Sequence, residues 1–195
     1  MTSESTIVGY WRELISQLSD EELIAYSKNG PIRRVLVEDI LPHLASHPQD
    51  VIEIGALFAP LTLELPWQVS RALLLDPIYK VRKPQLNLDF SIELSASYLP
   101  VGLEQISNWL QRPSLVVLEN VLNYVSRDTI QRLLEDSRIT TIILGNNSQA
   151  SFGDMHQERL RSPIDILDLL RSQRFINEGE MFQTETTLAG IFVRR

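Results

Sequence analysis

The chain contains no cysteine, so neither disulfides nor thiolate metal sites are open to it. It has no apolar run approaching the roughly 20 residues needed to cross a bilayer. The opening Met1-Thr2-Ser3-Glu4-Ser5-Thr6 lacks the basic-then-apolar order of a secretory signal. These absences read together as a cytoplasmic protein with no membrane partner. Positive charge is scarce, with 18 Lys and Arg against 25 Asp and Glu and a net charge of −7. Nucleic-acid backbones are held by clustered cations, so that class of partner starts at a disadvantage. The short basic groups at Arg33-Arg34, at Lys80, Arg82 and Lys83, and at Arg159 and Arg161 read as solvated surface. No Gly-x-x-x-x-Gly-Lys phosphate loop and no Gly-x-Ser-x-Gly elbow occurs. His43 and His47 have helical i, i+4 spacing but no Glu in the metalloprotease position and no evident third ligand, so no metal site is expected.

What is present is enough for one sizeable core: 195 residues, 44% hydrophobic and 22% charged. Ile7, Trp11, Leu14, Ile15 and Leu18 recur at helical spacing. Ser19 to Glu22 has the capping-box pattern, which predicts a second helix to about Lys28. Pro31 opens a third, with Ile32, Val35, Leu36, Ile40 and Leu44 on one face and Pro42 as a potential kink. Residues 1–49 thus read as a helical preface, either core cover or a lid, before one compact unit over 50–195. From residue 50, short apolar runs alternate with connections. Strands are predicted at 51–54, 72–75, 90–94, 115–118 and 140–144, and helices at 103–110 and 128–134. Residues 146–157 read as a polar loop. Ser162-Pro163 then starts a helix, and 175–182 and 186–193 close the chain as an antiparallel pair. The order implies a doubly wound α/β fold with a mainly parallel sheet.

The organising stretch is Asp50-Val-Ile-Glu53-Ile-Gly55-Ala56-Leu57-Phe58-Ala59-Pro60. A buried strand carries an acid, and a glycine follows where the backbone must turn close to a ligand. The next apolar strand also ends in an acid, Asp76. Two acids at the ends of neighbouring strands beside a glycine turn suit a ribose-containing cofactor. Taken alone, each acid also reads as an ordinary ion-pair partner. An NAD site predicts Gly-x-Gly-x-x-Gly and needs no acid just before the first glycine.

On Val-Ile-Glu53-Ile-Gly55, on Asp76 and on Leu-Glu119-Asn120-Val-Leu-Asn123-Tyr124-Val, the chain resembles the class I methyltransferases that depend on S-adenosylmethionine (SAM), from about residue 30 to the end. The resemblance implies a Rossmann-like sheet of seven strands, with the terminal antiparallel pair supplying the reversed strand. It implies that Asp76 takes the ribose hydroxyls and Glu53 the ammonium. Gly55, Ala56, Leu57 and Pro60 would form the turn under the cofactor. Pro77, Ile78 and Tyr79 would flank the adenine, and Ser95-Ala96 would approach its amino group. Glu119, Asn120 and Tyr124 would stand where donor and acceptor meet. His156, Glu119, Tyr124 and Tyr10 are the candidates for positioning or deprotonating an acceptor. The family's acid-x-Gly-x-Gly-x-Gly departs here, since Leu57 replaces the second glycine and narrows the space. The Asn/Asp-Pro-Pro-aromatic motif of nucleic-acid amino-methyltransferases is missing at 119–122. The expected activity is methyl transfer to oxygen or nitrogen of a small molecule or peptide, in biosynthetic tailoring. The alternatives are a non-catalytic partner protein that keeps the fold, and a nucleotide-binding oxidoreductase.

Overall fold

The computed structural model of the chain describes residues 3–45, 47–86, 89–97, 99–149, 160 and 162–195. Three helical segments come first: α1 (Ser3–Gln17), α2 (Asp20–Lys28) and α3 (Pro31–Val35). Seven strands follow: β1 (Asp50–Ile54), β2 (Arg71–Leu75), β3 (Ser91–Ser95), β4 (Ser114–Glu119), β5 (Ile139–Asn147), β6 (Phe175–Gln183) and β7 (Thr187–Arg194). Helices α4 (Gly102–Trp109), α5 (Arg127–Leu134) and α6 (Pro163–Ser172) lie between them. The strands form one sheet in the order β3-β2-β1-β4-β5-β7-β6. The first five are parallel, and β7 runs antiparallel to both β5 and β6. This is the seven-stranded, doubly wound arrangement expected, with the terminal pair reversed.

Local chemistry explains the element ends. Ser19 and Glu22 form the full capping box on α2, with Ser19 N–H donating to Glu22 at 2.8 Å and Glu22 N–H to Ser19 at 3.2 Å. Ser162 caps α6 and Pro163 occupies its first turn. The central strands are mostly apolar because both faces of the sheet are covered, with acids at Asp50, Glu53 and Glu119 as the exceptions in β1 and β4. Successive side chains alternate between those faces. Leu73, Leu75, Val116, Leu118, Ile142 and Leu144 pack with α4, α5 and α6. Val51, Ala72, Leu74, Leu115, Val117 and Ile143 pack with Ile15, Leu23, Ile32, Leu36 and Ile40 from the N-terminal segment. Those first helices are therefore one of the two layers over the sheet.

Two expectations are corrected. The third helix is not continuous: after α3 comes a π turn over Leu36–Ile40 and a 3-10 turn over Leu41–His43. Pro42 has no N–H, and its ring would clash with the carbonyl four residues back, so the ladder first widens and then tightens. The polar loop predicted from residue 146 begins later, because β5 runs through Asn147, opposite Thr187. Asn123 donates to the Asn147 carbonyl at 2.8 Å, and Asn147 N–H donates to the Asn120 side chain at 3.1 Å. Tertiary pairing overrides local polarity there. The connection from β1 to β2 holds a 3-10 turn, Leu61–Glu64, and no α-helix among the described residues. Pro66 lies just beyond this turn, and a proline inside a helix costs a hydrogen bond and clashes with the preceding turn.

The N-terminal layer meets the sheet closely at Gly145 of β5. A Cβ there would lie 2.5 Å from Ile32 Cγ2 and 2.8 Å from Leu36 Cδ1. Gly145→Val should push α3 off the sheet and lower stability by about 2 kcal/mol. Urea denaturation measures this, and an unchanged midpoint would contradict the packing described.

Candidate functional site

Three of the strands carry a carboxylate toward the N-terminal layer at the carboxyl edge of the sheet. Ile54 pairs with Leu75 on one side and Leu118 on the other. One step further, Gly55 lies between Asp76 and Glu119. Glu53 has the same side-chain parity, one pleat below. Gly55 turns out of the strand with φ +76, and a Cβ there would be 2.8 Å from Val121 Cγ2. Only glycine meets both demands.

Each acid has distinct partners. Glu53 is 2% exposed. It accepts from the N–H groups of Leu61 (2.7 Å) and Thr62 (2.8 Å) and from the Thr62 hydroxyl (2.7 Å). Burial still raises its pKa, against the pull of Arg33 and these donors. Asp76 is equally buried and caps the 3-10 turn Pro77–Lys80 through Ile78 N–H at 3.0 Å. Its other oxygen accepts from Leu57 N–H, also at 3.0 Å. Burial, with the charge of Glu53 added, raises its pKa to about 6. Glu119 accepts from Arg33 Nη1 at 2.6 Å. Burial outweighs that ion pair, and Glu53 repels as well, so the pKa of Glu119 rises to about 7.

Arg33 is the residue the sequence reading missed. The Arg33-Arg34 pair reads as surface, yet Arg33 is 3% exposed. Its Nη2 donates to the Ala59 carbonyl, and its Nε has no hydrogen-bond partner among the described residues. A signal was available: Arg33, Leu36, Val37 and Ile40 stand at i, i+3, i+4 and i+7, which puts a cation on the apolar face.

Residues 56–60 cross the carboxyl edge as a strap. Ala56, Phe58, Ala59 and Pro60 are buried, and Leu57 is half-buried at φ 47. The Tyr79 hydroxyl donates to the Leu57 carbonyl at 2.8 Å. Phe58 N–H donates to Ser27 of α2 at 3.4 Å. The space between Asp76 and Arg33 is thus spanned by the backbone of residues 57 to 59.

The remaining candidates lie apart from this cluster. The Ser95 hydroxyl pairs with Gln105 of α4, on the opposite face of the sheet, and Ser95 also caps Ser97 N–H. Asn120, at φ 52, donates its N–H to the Gly145 carbonyl and ties β4 to β5. Pro77 is the half-buried first residue of the turn that Asp76 caps. Tyr124 stands in the turn after β4 and neighbours Tyr26, which is hydrogen-bonded to Tyr10. His156 lies outside the described residues.

No protein-family model matches the sequence, and no curated protein matches it. Solved structures do resemble it. The N-methyltransferase NodS from Bradyrhizobium japonicum WM9, in complex with S-adenosyl-L-homocysteine (SAH), aligns with a TM-score of 0.56 at 13% identity, over 90% of this chain and 96% of that one. A SAM-dependent methyltransferase from Archaeoglobus fulgidus aligns at 0.53 and 11% identity, over 91% and 96%. CalO1, a methyltransferase in calicheamicin biosynthesis solved in an SAH-bound form, aligns at 0.53 and 13% identity over 84% of this chain. The chain spans about half of CalO1, 54% of its length. At these identities the likeness establishes the fold, which is that of SAM-dependent methyltransferases.

The buried acids set a pH dependence. Unfolded carboxyls lose their protons near pH 4, whereas folded Asp76 and Glu119 hold theirs to about 6 and about 7. The stability this lends is complete below about pH 4 and is lost as pH rises through those values. Asp50 and Asp136, whose pKa values are lowered, act below this window. Urea melts should show stability falling from pH 5 to pH 8, and Glu119→Gln should flatten the upper part of that fall. A rise across the window would contradict the burial described.

Proposed function

We propose that this chain is a SAM-dependent methyltransferase acting on oxygen or nitrogen of a small molecule or peptide. The observation that carries the reading is the guanidinium of Arg33, buried beside Glu53 and Glu119 with an Nε that has no partner among the described residues, and with Asp76 across the strap at the carboxyl edge of this fold. That set matches a ligand with a ribose diol, an ammonium and a carboxylate on one frame, so the residues fit the cofactor chemically. Asp76 would hold the diol through charge-assisted bonds. Arg33 would hold the carboxylate, and Glu53 or Glu119 the ammonium. When bound, SAM supplies a methyl group on a positively charged sulfur.

The chain's own contribution is alignment, which can supply much of the rate. Glu119, with a pKa near neutrality, can take a proton from an acceptor that arrives protonated. Tyr124, beside Tyr10 and Tyr26, would position the acceptor, and residues 1–49 would cap it. CalO1 and NodS are described as a methyltransferase in calicheamicin biosynthesis and an N-methyltransferase, which supports a tailoring role on small molecules. Among the described residues no helix is long and apolar enough to cross a membrane, and a cytoplasmic location is proposed with the rest.

A second reading, a non-catalytic protein that keeps the fold, is favoured by one feature: the strap already lies on Asp76 and Arg33. Isothermal titration separates the two readings. The enzyme reading expects one-to-one binding of SAM and of SAH, weakened at least about tenfold in Asp76→Ala. No heat with either ligand would leave the second reading.

A further inference from the structure

The strap uses the groups that a cofactor would need. Leu57 N–H donates to Asp76, as a ribose hydroxyl would. The Ala59 carbonyl accepts from Arg33, as a ligand carboxylate oxygen would. Resting on the SAM reading above, we infer that residues 56–60 are an internal competitor for the cofactor, and that the Tyr79 hydroxyl is the latch that keeps them in place.

Three features support a latch rather than ordinary packing. First, beyond the core packing of Ala56 and Phe58, the strap's backbone is tied down by specific hydrogen bonds. Tyr79 donates to the Leu57 carbonyl from below at 2.8 Å, and Ser27 accepts from Phe58 N–H at 3.4 Å on the outer side. Second, it is held against local preference. Leu57 sits at φ 47, a region a leucine rarely enters unless its surroundings impose it. Third, strap and acids are one system. Asp76 caps the turn that carries Tyr79, so the carboxylate released to a ligand is the one that positions the latch. Tyr79 is 2% exposed, and its ring belongs to the core under the N-terminal layer. Its hydroxyl bonds the strap's backbone.

The consequence is a linked equilibrium. Apparent affinity equals the intrinsic affinity reduced by the fraction of molecules with the strap released. Removing a bond that holds the strap, while leaving in place the Tyr79 ring that the resemblance sets beside the adenine, therefore tightens binding. This is the opposite of what damage to a binding site does. Tyr79→Phe keeps the ring and deletes the latch. At the ordinary worth of one hydrogen bond it should tighten SAH binding about fivefold. Ser27→Ala removes the outer, longer bond and should shift affinity in the same direction by less.

The test is calorimetric titration of SAH into the wild type, Tyr79→Phe and Ser27→Ala. Circular dichroism confirms that each is folded, and amide hydrogen exchange at Leu57 is followed without ligand. The expected result is faster Leu57 exchange in Tyr79→Phe, together with tighter SAH binding by both variants. Binding by the variants alone upholds the latch and leaves the wild type to the non-catalytic reading. If the wild type binds SAH and neither variant binds more tightly, the latch is overturned while the cofactor reading stands. If all three are folded and silent, the latch and the cofactor reading fail together. Should Tyr79→Phe not fold, Ser27→Ala alone decides by the same criteria.

Discussion

A guanidinium buried in the same place as three carboxylates constrains most of this structure. Charges removed from water must be paired or must give up their ionisation. Arg33 meets Glu119 and lowers the cost of burying Glu53, while Glu53 and Asp76 rely on backbone donors from the turns they cap. Strand alternation leaves no choice of side, since Glu53, Asp76 and Glu119 all project toward the N-terminal helices. Those helices cannot be ornamental. They bring the cation, and Gly145 is the gap in the sheet that lets α3 come close enough to deliver it.

The same cluster links the proposed chemistry to the closure of the sheet's edge. Burial raises the pKa of every acid in the group, and on the proposed reading a ligand supplies the missing charge and donors. Meanwhile the chain provides its own substitutes, a backbone N–H for Asp76 and a carbonyl for Arg33. The enzyme and the non-catalytic readings share every one of these contacts. They differ only in whether the strap exchanges with a ligand.

The sheet was largely legible in the sequence. Interior parallel strands appear as apolar runs, and runs such as Arg71–Leu75 and Ser114–Glu119 end beside acids that could be recognised. Helix starts were legible where a cap has its own chemistry, as at Ser19 and Ser162. Three things were not. The π turn at Leu36–Ile40 arises from a single proline acting on a ladder several residues long. The extension of β5 depends on asparagines 23 to 27 residues away in sequence. Arg33 was hidden by its neighbour: two adjacent arginines read as a surface pair, although one lies on the apolar face and is buried. The strap was legible only as bulk at Leu57. That its backbone, and not its side chain, spans the space between Asp76 and Arg33 is a tertiary fact with no local signature.

The account depends most on where Asp76 and Arg33 turn when a nucleoside amino acid is present. A crystal structure of the chain grown with SAH addresses that directly. The account predicts the ribose hydroxyls on the Asp76 oxygens, the ligand carboxylate on Arg33, and Leu57 N–H drawn away from Asp76. SAH bound elsewhere, or a structure in which Leu57 still donates to Asp76 and Arg33 still holds the Ala59 carbonyl, would contradict it.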